Sequence, residues 1–181
     1  MTAVTISAED FERFREYFYR RTGIQFEPSK RYFVDKRLAE RAGANGCASF
    51  RDYFALLRFE TGNREWQALV NEMTVNETYF MREDYQFDCM VRSMLPELVA
   101  RRGSGQPLRI WAVPSSSGEE AYTIAMVLLE RWPQLADWDI EIVSSDIDTR
   151  ILAQAQRGVY SPRAVQHVPA AWLQKYFTRE G

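Results

Sequence analysis

Apolar residues in the first third of the chain recur every three or four positions, whereas later they gather into short runs set off by turn residues. The first spacing is that of one face of an α-helix; short apolar runs bounded by glycine or proline read as strands. Phe11, Phe14 and Phe18, and more loosely Tyr17, follow Ser7-Ala-Glu-Asp. That opening offers a hydroxyl cap and then acids suited to the helix dipole, and Thr22-Gly23 predicts the stop. A second helix is predicted from Pro28-Ser29 to Ala42-Gly43, burying Phe33, Val34 and Leu38. Ser49 caps a third, with Phe50, Tyr53, Phe54 and Leu57 on one face, and Glu65 to Glu72 forms a fourth through Trp66, Leu69 and Val70.

From about residue 85 the pattern changes. Tyr85 to Arg101 reads as one amphipathic helix, closed by a polar, glycine-containing loop over 101–105. Leu108 to Val113 and Ile140 to Ser145 read as strands, Glu119 to Arg131 and Asp148 to Gln156 as helices, with Pro133 and Gly158 as their stops. Strand, turn, helix, strand and helix form the βαβ pattern of a parallel sheet, whose crossovers are right-handed. The expected class is therefore α/β. An all-helical N-terminal domain over 1–75 is followed by a connecting segment over 76–90 and the first part of a Rossmann-like domain over 91–181.

Composition adds limits. With 46% hydrophobic and 27% charged residues the chain is globular rather than disordered. A net charge of -2 predicts no global attraction to nucleic acid or an anionic membrane. No apolar run approaches the roughly 20 residues that span a bilayer, and the N-terminus lacks the basic and apolar regions of a signal peptide. Cys47 and Cys89 have no CxxC spacing and read as free thiols in a reducing cytoplasm. One histidine, His167, and no paired cysteines leave no basis for a metal site.

In doubly wound sheets, ligands bind where a strand's carboxyl end turns into its helix. Here that turn is Pro114-Ser115-Ser116-Ser117-Gly118, followed by Glu119-Glu120. Ser116 and Gly118 allow close approach of a ligand, and Asp146 stands after the second strand, where a carboxylate accepts ribose hydroxyls. The turn has neither GxGxxG nor GxxxxGK[ST], and two carboxylates at a helix N-terminus would repel a pyrophosphate. An NAD-linked oxidoreductase is thus disfavoured. A cationic, phosphate-free nucleoside such as S-adenosylmethionine fits better.

Three stretches carry a resemblance: Asn76-Glu-Thr-Tyr-Phe-Met-Arg82-Glu83, Ile110-Trp-Ala-Val-Pro-Ser-Ser-Ser-Gly-Glu-Glu-Ala-Tyr122, and Ser145-Asp146-Ile-Asp148 with Leu152, Ala153, Ala155 and Gly158-Val-Tyr160. In order and spacing they resemble the CheR family of chemoreceptor glutamate O-methyltransferases. The resemblance implies S-adenosylmethionine as cofactor, S-adenosylhomocysteine as product, and cofactor contacts at Asn76, Thr78, Arg82, Glu119 and Asp146. Arg82 is the implied catalytic-site arginine, able to hold a carboxylate bidentately. The family meets an acidic helix of the cytoplasmic receptor bundle with a basic helix, whose nearest matches here are Lys30, Arg37 and Arg41.

The transfer implied is a direct displacement needing no general base, which leaves His167, in an expected loop, without a role. Two departures stand out. Pro114 replaces a small residue and removes an N–H beside the cofactor, and Ala121 replaces a proline. The resemblance also ends at Trp172-Leu-Gln-Lys-Tyr-Phe177, where family members continue into further strands and a receptor-tethering subdomain. The expectation is a truncated form of a methyltransferase acting on chemoreceptor-type glutamates; the alternatives are a fragment that binds cofactor and a receptor helix without catalysis, and a pair of copies completed through an exposed sheet edge.

Overall fold

Ser7 opens α1 (Ala8–Thr22) by a reciprocal exchange: its hydroxyl oxygen accepts the Asp10 N–H at 3.1 Å, and the Asp10 carboxylate accepts the Ser7 N–H. Gly23 ends the helix at φ 74°, a left-handed position natural to glycine. A computed structural model of the chain describes residues 4–102 and 106–180, so the loop expected over 101–105 lies in part, at 103–105, outside the described residues. The chain divides into two units, Met1–Val75 and Asn76–Gly181.

The first unit is helical. α2 (Arg31–Ala44) follows a 3-10 turn at Pro28–Lys30; α3 (Phe50–Phe59) is capped by the Ser49 hydroxyl, and α4 (Arg64–Met73) completes it. The 3–4 spacing read from the sequence is the buried stripe: Phe11, Phe14, Phe18, Val34, Leu38, Phe50, Tyr53, Leu57, Trp66 and Leu69 share one core. Phe18 lies with its ring centroid 5.3 Å from Trp66 and 5.4 Å from Phe14, so the aromatic residues pack on one another. Each fully buried side chain of this size contributes about 1.5–3 kcal/mol of transfer free energy.

In the second unit, the single helix expected over 85–101 is interrupted. α5 (Asp84–Cys89) and α6 (Leu95–Arg101) are joined by a π-helical turn, Met90–Met94, across which the Leu95 N–H reaches the Met90 carbonyl. The cause is Pro96, which has no N–H and whose ring crowds the carbonyl four residues back; a wider turn relieves both. β1 (Leu108–Ala112) and β2 (Ile140–Ser144) pair in parallel, Ile110 opposite Ile142, with α7 (Glu119–Arg131) as the crossover. α8 (Thr149–Arg157) and a further helix absent from the sequence reading, α9 (Ala170–Tyr176), follow.

Leu108, Ile110 and Ala112 point into the core with Ile124, Val127 and Leu128 of α7. Arg131 fastens the end of α7, donating at 2.9 Å to both Asp84 and Asp88 of α5. The opposite sheet face is open. Trp111 and Val143, register partners, are 66% and 41% exposed, flanked by an Arg109–Glu141 ion pair at 2.6 Å. Among the described residues the sheet has two strands, so each keeps one unpaired edge. No described helix is long and apolar enough to cross a membrane.

Candidate functional site

Where β1 ends, the ladder slips by one residue. The Ser145 N–H bonds to the Ala112 carbonyl at 3.2 Å, and the Ser145 carbonyl then accepts from Ser115 at 2.9 Å, passing over Pro114. A regular parallel ladder would ask residue 114 for that donor. Pro114, joined to Val113 by a cis peptide, lies exposed outside the ladder, and the N–H it lacks is supplied by its neighbour. The missing N–H of Pro114 therefore costs the strand ladder no bond.

The turn then closes on itself. The Gly118 N–H donates to the Ser115 carbonyl at 3.0 Å, with Ser116 at φ 49° and Gly118 at φ 93°. Glycine is favoured at the latter position, where any side chain is strained and a Cβ would stand 3.0 Å from Ala155 Cβ and 3.3 Å from the Tyr160 hydroxyl. Asp146 stitches this turn to the one after β2. One carboxylate oxygen accepts the Ser116 N–H at 2.8 Å, and the other accepts the Asp148 N–H at 2.9 Å.

Around that stitch the motifs converge. Glu119, 4% exposed, receives the Ser117 hydroxyl at 2.6 Å. The buried Thr123 donates to the Glu119 carbonyl at 2.6 Å and accepts the Met81 N–H at 3.2 Å, tying the 76–83 segment to α7. Asn76 donates its side-chain amide to Asp148 at 2.8 Å, and the buried Asp148 carboxylate also caps α8 through the Arg150 N–H at 2.9 Å. Asn76 is thus engaged with the residue that positions Asp146. Tyr160 donates to the Ser117 carbonyl at 2.8 Å; burial, then the charge of Glu119, pushes its ionisation well above the ordinary tyrosine range. It remains a donor at any physiological pH.

Arg82 is exposed. It bonds to the Glu77 carbonyl at 2.8 Å and lies 5.8 Å from the Tyr79 ring centroid, with no carboxylate paired to it among the described residues. Met81 and Glu83 on either side have φ of 61° and 56°, each a conformation that costs a non-glycine residue about 1–3 kcal/mol. Thr78 is half-buried nearby in sequence. His167 lies in a turn, its ring 5.2 Å from that of Tyr79.

These residues suit a phosphate-free nucleoside. Each Asp146 oxygen has one partner and keeps acceptor capacity for a hydroxyl. The buried Ser115 and Ser116 hydroxyl oxygens have no hydrogen-bond partner among the described residues, groups that ordinarily find one. A cavity of about 440 Å³, of the size that takes small molecules, adjoins the turn, with Ser117 and Glu119 on one side and Gln154, Arg157, Tyr160 and Ser161 among its other lining residues.

In the helical unit the basic residues of α2 separate. Arg37 and Arg41 do share a face, as i,i+4 spacing requires, but that face meets α4. Arg37 donates from Nε to the Glu72 carbonyl and stacks 3.4 Å from the Phe33 centroid. Arg41 grips the buried Glu65 with two nitrogens, and Tyr53 donates to the same carboxylate at 2.6 Å. Burial alone would raise the Glu65 pKa, but these hydrogen bonds hold it below the ordinary glutamate value. Of the three residues matched to the family's basic helix, both guanidiniums are thus engaged inside the unit, while Lys30 is exposed.

Sequence reading gave no role to Thr123, Asp148 or Tyr160. The Asp at the start of α8 was visible as a cap. The other two contacts join segments some 40 positions apart in sequence, and no local pattern marks such pairs.

Residues 76–181 match the model of the CheR methyltransferase SAM-binding domain, and residues 9–74 match its all-alpha domain. The chain is 51% identical to chemotaxis protein methyltransferase 2 of Vibrio cholerae over 98% of its own length and 62% of that protein's. It is 39% identical to chemotaxis protein methyltransferase 2 of Pseudomonas aeruginosa, over 94% of this chain and 59% of the relative, and 34% identical to the chemotaxis protein methyltransferase of Escherichia coli, over 97% and 59%. It spans about three-fifths of the length of these curated relatives. Matched in both its helical and its α/β part, the chain belongs to the CheR methyltransferase family.

Proposed function

We propose that this chain provides the cofactor cradle and a receptor-facing helix of a cytoplasmic methyltransferase that esterifies glutamate side chains of a chemoreceptor. The observation that carries the reading is Asp146 bridging the turns after β1 and β2 with acceptor sites to spare, beside the buried Glu119. Bound S-adenosylmethionine would supply an activated methyl group. Asp146 would accept the ribose hydroxyls, Glu119 would face the cofactor's amino end, and the Ser116 and Gly118 turn would let it approach closely. Thr78 would line the cofactor side of the 76–83 segment, with Asn76 acting through Asp148. Arg82, unpaired with any described carboxylate, would hold the carboxylate of the cofactor or of the substrate glutamate. A glutamate carboxylate is already nucleophilic at neutral pH, so these residues need only orient the partners and exclude water.

The receptor would approach through α2, where Lys30 offers a free cation to an acidic helix; Arg37 and Arg41 would shape that helix from within. Calorimetric titration with S-adenosylhomocysteine tests the cradle. Asp146→Ala should weaken binding at least ten-fold, as loss of hydrogen bonds to a charged group of about 1.5–3 kcal/mol implies; binding of NAD in its place would sink the reading.

A second reading is favoured by the two-stranded sheet, whose face at Trp111 and Val143 is open and whose strands each keep an unpaired edge among the described residues: the chain binds cofactor and receptor helix without turnover, or pairs its strand edges with a second copy. Methyl transfer to a receptor fragment separates catalysis from binding alone. Light scattering showing a monomer rules out the paired form.

A further inference from the structure

Tyr160, itself in the third of the motifs around the cradle, touches both of the others. Gly158, at φ 64°, turns the chain after α8. The Tyr160 ring then stands edge-on to Phe80 at 4.7 Å and to Tyr122 at 6.2 Å, and its hydroxyl reaches the Ser117 carbonyl at 2.8 Å. The 117–118 peptide is consequently held at both ends, its carbonyl by Tyr160 and its N–H by the Ser115 carbonyl at 3.0 Å. With that peptide fixed, the Ser117 hydroxyl meets the buried Glu119 carboxylate at 2.6 Å.

We propose that Tyr160 is a positioning residue for the cofactor turn, a latch that fixes the 117–118 peptide and, through Ser117, the direction of the Glu119 carboxylate. Its ring carries the 76–83 segment and α7 against the turn, and its hydroxyl sets the turn itself. This role rests on the cofactor reading above for its consequence, but the latch is a property of the chain without ligand. The tight space at Gly118 belongs to the same arrangement, since a Cβ there would press on the hydroxyl that holds its neighbour.

The test compares Tyr160→Phe with Tyr176→Phe in the full chain; the latter removes a hydroxyl that meets Glu130 at 2.6 Å instead. Amide exchange at Ser116 and Gly118, followed by NMR, should speed up several-fold in Tyr160→Phe and not in Tyr176→Phe, with melting temperatures of the two variants alike. Affinity for S-adenosylhomocysteine should fall about five-fold in Tyr160→Phe alone, the worth of one neutral hydrogen bond. Tyr160→Leu, which also removes the ring, should exceed both effects. Unchanged exchange at Gly118 in Tyr160→Phe, or an equal change in Tyr176→Phe, overturns the latch. A native chain that binds no S-adenosylhomocysteine overturns the cofactor reading instead, and the exchange comparison still decides on Tyr160.

Discussion

The helical unit turns most of its polar groups on one another, leaving one buried carboxylate oxygen, Asp35 Oδ1, without a partner among the described residues, whereas the α/β unit leaves two hydroxyls unmet side by side in one turn. In the first, the aromatic stripe closes on itself, Arg41 pairs with the Glu65 carboxylate of α4, and Arg37 donates to the Glu72 backbone carbonyl while stacking on Phe33. In the second, two buried serine hydroxyls lack partners, Asp146 keeps acceptor capacity, and Trp111 and Val143 face outward from a parallel pair. Parallel sheets are ordinarily covered on both faces. The contrast teaches where to look for binding: a single unmet oxygen, as on Asp35, marks no site, whereas unmet hydroxyls beside an acceptor with capacity to spare and an open apolar face point to something still to be bound.

The sharpest way to break that contrast is to cut one large side chain from each unit. Phe14 is fully buried, and Phe14→Ala should cost about 3–5 kcal/mol of stability in denaturant titration. Trp111→Ala removes more atoms but from an open face, and should cost less than about 1 kcal/mol. Equal losses would mean that the outer sheet face is covered in solution.

The next effect belongs to the buried ion pair. Glu65→Leu leaves Arg41 without its partner and should cost about 3 kcal/mol, the lower end of the range for such a break because Arg41 keeps some exposure. Its pH dependence has a definite sign. Glu65 titrates below its ordinary value when folded, so its stabilisation is complete above the unfolded pKa of about 4.5 and fades as pH falls through the folded one. The native helical unit should therefore lose melting temperature below about pH 4.5, and Glu65→Leu should flatten that slope. An unchanged slope would show that other carboxylates set the acid limb.

How far the sequence could lead follows the same division. The 3–4 stripe of Phe11, Phe14 and Phe18 is local, so helix and buried face were both legible from it. The βαβ order and the placement of Asp146 were legible because each strand, turn and cap announces itself within a few residues. What was not legible depends on distant partners. Nothing near Arg41 in sequence says that its charge is met by Glu65, 24 positions away, so a committed guanidinium and a free one read alike. The π-helical turn was hidden for another reason: amphipathic spacing survives it, and only Pro96 hints at the break.

The smallest effect places one substitution in both units and expects opposite signs. Gly43 lies within α2 with helical dihedrals and open space about its Cα, so Gly43→Ala should stabilise by about 0.4–1 kcal/mol through a less free unfolded chain. Gly118 sits at φ 93° with Ala155 and Tyr160 against the space a Cβ would take, and Gly118→Ala should destabilise by about 1–2 kcal/mol. Because Gly118 starts α7 beside Glu119, the second change should also weaken S-adenosylhomocysteine binding, while the first leaves it untouched. Denaturation and calorimetry on the two variants read both signs. If Gly118→Ala were neutral in stability and binding, the turn would have room to move, and a cradle shaped in advance of its ligand would no longer describe it.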